Sequence, residues 1–164
     1  MYKRQLLALS DESGSELVKT YSAERIRGAL VMSFWRALKQ GQSLKRFCQH
    51  LLPLGDFTAA ALELSASANP EVWPSLIGGE MGDLLNDALN LPDDERISGF
   101  ELMVSNLLAH IAKEGKMQTA GPERVFAFLE GFRNEIHNLR LVVNGRLSGI
   151  NPDVLRQRLR ESYA

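Results

Sequence analysis

The chain has 164 residues, 45% of them hydrophobic and 24% charged, with a formal net charge of -1. That length and content support a buried core and one domain, built from two similar units, while near-neutrality argues against a general nucleic-acid binder. No run approaches 18 apolar residues and no N-terminal apolar core precedes a small-residue cleavage site, so the sequence reads as a soluble protein without a signal peptide.

The elements predicted along the chain are helices. Ser22 reads as the cap of a helix in which Ile26, Leu30, Phe34 and Leu38 recur every four residues, reinforced by Val31 and Trp35, until Gly41 ends it. Ser43 starts a shorter helix with Leu44, Phe47, Cys48, Leu51 and Leu52 on its apolar side, before Pro53 and Gly55 turn the chain. Cys48 is the single cysteine. It excludes an intramolecular disulfide and fits a reducing compartment. His50 lies two residues on and points to another side of that helix, so Cys48 reads as a small core thiol and not a nucleophile.

Asp56 reads as the cap of an alanine-rich helix through about Leu64, and Asn69-Pro70 repeats the signal of a cap followed by proline. Trp73-Pro74 and Gly78-Gly79 mark a broken connection. Leu84, Leu85, Ala88 and Leu89 suggest another helix, and 91 to 95 a polar bend or first turn. Phe100, Val104, Leu107, Leu108 and Ile111 then outline an amphipathic helix that stops near Gly115.

The last segment is the most informative. Pro122 suits a helix first turn because its missing N–H has no intrahelical partner there, and Glu123 favours the positive end of the dipole. Val125, Leu129, Phe132, Ile136, Leu139 and Val143 then share one face, which reads as a buried stripe on a helix of about 27 residues, roughly 40 Å long. Gly149 closes it, and Asn151-Pro152 opens a short basic helix. The fold class is all-α.

Gly41 and Gly149 lie 108 residues apart, and each is followed within two residues by a cap, Ser43 or Asn151, and a short base-rich helix. Two copies of one multi-helix unit account for this echo. Charge is segregated too: residues 56 to 100 carry nine acids and one base, a net of -8; residues 1 to 52 carry nine bases and four acids, +5; residues 133 to 164 carry six bases and three acids, +3. Either a partner of mixed charge or a set of solvated helix faces accounts for this.

In residue order, Gly121-Pro122-Glu123, Phe128, Glu135-Ile136, Asn138-Leu139-Arg140, Gly145, Gly149 and Arg156 closely resemble the C-terminal segment of the C subunit of the V-type and A-type rotary ATPases, called the d subunit in the eukaryotic enzyme. Phe100 through Ile111 resembles the helix before it, and Gly41, Pro53 and Gly55-Asp56 resemble the family's second repeat. Arg27 and Leu30 stand where the repeat has an acid and an asparagine, and Arg133 where an acid is common. The resemblance implies the last two of three helical units of a funnel, residues 15–95 as the second repeat and 96–164 as the third. Residues 1–14 are then an unmatched or disordered stub and the first unit is missing, as in a shortened gene. A two-unit arc would leave apolar flanks exposed and drive self-association.

The resemblance further implies a non-catalytic subunit on the cytoplasmic face of the membrane, peripheral to it, coupling the ion-carrying ring to the central stalk during ATP-driven proton or sodium transport or ATP synthesis. The residues agree in lacking a phosphate-cradling G-x-x-x-x-G-K-[ST] and a zinc-binding H-E-x-x-H, and His50, His110 and His137 have no ligand spacing. No catalytic, cofactor or metal residue is therefore expected. Glu135, Asn138 and Arg140 occupy part of one helix flank, suited to bridging helices or meeting a partner. Arg146 and Arg156, with Arg158 and Arg160, suit lipid head groups, the ring or the dipole of the last helix. A stand-alone helical adaptor is the alternative; a small helical enzyme finds no acid pair or activated nucleophile in support.

Overall fold

A computed structural model describes residues 2–51 and 57–162. The chain is 80% helical, with no strand among the described residues. The elements are α1 (Tyr2–Glu12), α2 (Glu16–Lys39), α3 (Leu44–Leu51), α4 (Thr58–Ala66), α5 (Trp73–Ile77), α6 (Gly79–Leu89), α7 (Arg96–Glu114), α8 (Pro122–Leu147) and α9 (Pro152–Gln157), with short 3₁₀ turns at Pro70–Val72 and Gly115–Met117. The all-α expectation holds.

Two compact units divide the chain: residues 1–9 with 22–104, and residues 10–21 with 105–164. Long helices α2 and α7 contribute residues to both. Residues 2–12, part of the expected stub, are helical.

In the first unit, Ile26, Leu30, Val31, Phe34 and Trp35 of α2 are all buried, as their four-residue recurrence predicts. Trp35 packs edge-on against Trp73 at 6.5 Å between centroids and meets the tilted ring of Phe100 at 6.0 Å, and Phe34 meets Phe47 edge-on at 5.4 Å. Trp73 is fully buried and donates its indole N–H to the Ser67 carbonyl at 3.0 Å, which removes the cost of burying that donor. Cys48 is buried in this core. A Cβ on Gly28 would stand 2.6 Å from Val104 Cγ1, so α2 and α7 approach each other there as only glycine allows.

Several local readings change. Helix α2 passes through Ser22, which is buried with its hydroxyl unpaired; the cap lies at Ser15, whose Oγ accepts from the Val18 N–H at 3.3 Å. A helix continues upstream whenever its next turn still buries surface, and Tyr21 supplies that surface. Asp56, read as a cap, lies outside the described residues, as do Leu52, Pro53 and Gly55. Residues 73–77 are helical where a broken connection was expected; Pro74 sits in the first turn of α5, where it costs nothing, and Gly78 supplies the break.

The glycine echo is a shared backbone motif. Gly41 has φ +68°, its N–H bonds the Leu38 carbonyl at 2.9 Å and Gln42 N–H reaches the Ala37 carbonyl at 2.9 Å. Gly149 has φ +69°, with its N–H on Arg146 at 3.1 Å and Ile150 N–H on Gly145 at 2.9 Å. Both are Schellman closures, which need a left-handed residue that glycine adopts without strain. Asn151 then caps α9 by accepting from the Asp153 N–H at 2.9 Å.

In the second unit the face of α8 is reversed from expectation. Val125, Leu129, Phe132, Leu139 and Val143 are 47–64% exposed and Ile136 half-buried; the residues buried instead are Ala127, Gly131, Asn134 and Gly145. These recur at the same three- and four-residue spacing on the opposite side of the helix. Small residues let the helices come close: a Cβ on Gly115 would lie 2.5 Å from the Glu123 carbonyl oxygen, and the same position faces Ala127. Close approach through small side chains buries α8 without using its bulky stripe.

Candidate partner-contact site

The polar residues singled out on α8 separate into two groups. Asn138 is half-buried and binds the C-terminal tail: its Nδ2 donates to the Arg160 carbonyl at 3.0 Å and its Oδ1 accepts the Arg160 N–H at 3.0 Å. Glu135 is exposed and accepts from the Ser162 hydroxyl at 2.7 Å. The tail is held further by Asn106, whose Oδ1 accepts the Glu161 N–H at 3.1 Å, and by an ion pair of Lys113 with Glu161 at 3.6 Å. Asn134, buried and four residues before Asn138, faces the Arg160 guanidinium at 3.5 Å. A segment without regular structure is thus given backbone partners by amide side chains on two helices.

Arg140, Arg146 and Arg156 do not join this cluster. The side chains of Arg140 and Arg146 are exposed and make no hydrogen bond or ion pair to another described residue. Arg156 pairs with Asp153 one turn away at 2.6 Å, both side chains nearly three-quarters exposed, an arrangement of little energetic consequence.

A second cluster was not singled out from sequence. Tyr21 donates its hydroxyl to Glu130 at 2.5 Å and accepts from Arg133 at 2.8 Å, and Arg133 pairs with Glu130 at 2.5 Å. Phe126 lies edge-on to the Tyr21 ring, 4.8 Å between centroids. The one available signal was Arg133 standing where the family commonly has an acid; its partner one turn earlier gives that base a local role. The cavity beside Glu130, lined by Ala109, Ala112, Gly131 and Asn134, measures about 10 Å³, the lower limit for one water and far too small for a substrate.

No group of three or more potential metal ligands occurs among the described residues, and no helix among them is long and apolar enough to cross a membrane. His110 and His137 are exposed, and the side chain of His50 lies outside those described. The family model of the ATP synthase (C/AC39) subunit matches residues 1–158. The chain belongs to the C/AC39 subunit family of V/A-type ATP synthases. The match takes in residues 1–14, where the sequence motifs found no counterpart. This family is an accessory subunit of a rotary ATPase and generally non-catalytic, and membership implies a place in that complex. No curated protein and no solved structure is significantly similar to the chain.

Proposed function

We propose that the chain is a non-catalytic central-stalk subunit that couples the membrane ion-carrying ring to the central stalk during ATP-driven proton or sodium transport or ATP synthesis, on the cytoplasmic face. The observation that carries this reading is the family match over residues 1–158. Supporting it is a surface made for contact: α8 turns its bulky apolar face outward beside the exposed guanidinium groups of Arg140 and Arg146. A helix of 26 residues, about 39 Å long, also suits a part that transmits torque between two bodies. Arg146 in the last turn of α8 and Arg156 in that of α9 place positive charge where it favours acidic groups of a partner. The matching closures at Gly41 and Gly149 support a pair of repeats, 15–95 and 96–164, within this assembly.

Native mass spectrometry of the tagged chain, co-expressed with the stalk and ring subunits of its own ATPase, tests the reading. A one-to-one complex with the stalk subunits is expected. Absence of any complex, with an established family member binding as positive control, would overturn it.

A further inference from the structure

Eight of the fifteen large apolar side chains exposed among the described residues lie on α8, which makes up 26 of the 164 residues. They form a heptad seam. With Leu129, Ile136 and Val143 as a positions, the d positions are Val125, Phe132 and Leu139, so the apolar pattern runs unbroken for nearly three heptads. Leucine and β-branched residues at a, with valine, phenylalanine and leucine at d, form a seam that two parallel helices fill. The inner residues Ala127, Gly131, Asn134 and Gly145 occupy c and f, the far side of the helix, and the unit to which α8 belongs touches the flanks of the seam at Phe126 and Arg133, e positions beside Tyr21, and at Glu135, a g position that accepts from Ser162.

The flanking charges identify the occupant. Glu135 falls at g and Arg140 at e of the following heptad, five residues on, which is the spacing that brings g and e into contact across a parallel pair. Both side chains are exposed, Glu135 while also accepting from Ser162 of its own tail, and one sequence supplies both halves of the contact, twice by symmetry. An antiparallel pair would set e against e and bring Arg133 or Arg140 onto an arginine of the other copy. A membrane surface would have to accept Glu135 beside its anionic head groups.

We propose that in the free protein α8 is the seam of a parallel homodimer, with Glu135 of each copy paired to Arg140 of the other. The dimer is independent of the coupling role; a stalk or ring subunit that takes the same face would compete with it.

Sedimentation velocity of the full chain at tens of micromolar should show a species of twice 18.3 kDa that dissociates on dilution. Phe132→Asp should give a monomer with unchanged helical circular dichroism, because Phe132 contributes little to its own unit. Glu135→Arg and Arg140→Glu each turn two attractive contacts into two repulsive ones and should each weaken the dimer about tenfold, while the double reversal restores it. Val125→Cys should form an interchain disulfide with its own copy, as a parallel register requires. A monomer at every concentration, single reversals without effect, a double reversal that fails to restore, or no cross-link at residue 125 would each overturn the proposal.

Discussion

Asn138 takes both backbone groups of Arg160, donating to its carbonyl and accepting from its N–H, each at 3.0 Å. One side-chain amide thereby does for the tail what a neighbouring strand does in a sheet. Because the pair is partly buried, replacing Asn138 by alanine leaves the Arg160 N–H and carbonyl to compete for water. A loss of about 1–3 kcal/mol in tail docking is expected for the two bonds. Hydrogen exchange at the Arg160 and Glu161 amides should accelerate by at least tenfold in Asn138→Ala, with α7 and α8 amides changing far less.

Tyr21 and Glu130 are 109 residues apart and share a proton-donor contact of 2.5 Å, with Arg133 bonded to both. Tyr21→Phe keeps the buried ring and its edge contact with Phe126 but removes the bridge; a cost of about 1 kcal/mol in chemical denaturation is expected. Glu130→Ala should cost more, about 2 kcal/mol, since it leaves two donors without their common acceptor. Equal costs for the two variants would mean that Arg133 and Tyr21 are satisfied by solvent instead.

Gly28 and Val104 give an overpacking test. Alanine normally favours a helix interior over glycine by about 1 kcal/mol. Here the added Cβ would meet Val104 Cγ1 at 2.6 Å and Cγ2 at 3.3 Å, and a β-branched side chain has few rotamers by which to withdraw. Gly28→Ala should therefore destabilise by about 1–2 kcal/mol net. Paired with Val104→Ala it should become neutral or favourable, a coupling readable in a double-mutant cycle.

Acid should loosen the contact between Glu123 and Ser15. The Ser15 hydroxyl, and then the backbone N–H of Glu123 itself, hold this carboxylate below its ordinary value of 4.5. A depressed folded-state pKa gives stability that is present above the unfolded value and disappears as pH falls through the folded one. The stability difference between the natural chain and Glu123→Gln should thus be seen at neutral pH and close below pH 4.5, in the acid range. In Ser15→Ala, an NMR titration should find the Glu123 pKa moved upward.

Helix ends were legible because they rest on local chemistry. Pro122, Gly41, Gly149 and Asn151 each act through a backbone dihedral or a hydrogen bond within a few residues. Ser22 misled because serine caps only where a helix begins, and burial of Tyr21 extends α2 one turn and more beyond it. The periodicity of α8 was read correctly, but its direction was not. A stripe of Val125, Phe132 and Leu139 says that one face is apolar; it does not say whether the cover comes from this chain. Ala127, Gly131 and Gly145 carry the inner contact, and residues with little side chain leave almost no mark in a hydrophobic pattern. Asn138 stood out as polar, yet its partner is a backbone segment 22 residues away that any sequence could supply. Tyr21 with Glu130 is a contact of topology alone.

Along α8, the side that carries the fold is built of small residues, while the outward side is bulky and open. Selection can act on the two sides separately. An exchange of valine for leucine or of glutamate for arginine on the outer side changes the chemistry presented to solvent, with the packing underneath unchanged. Change on the outer side therefore need not pass through a less stable fold.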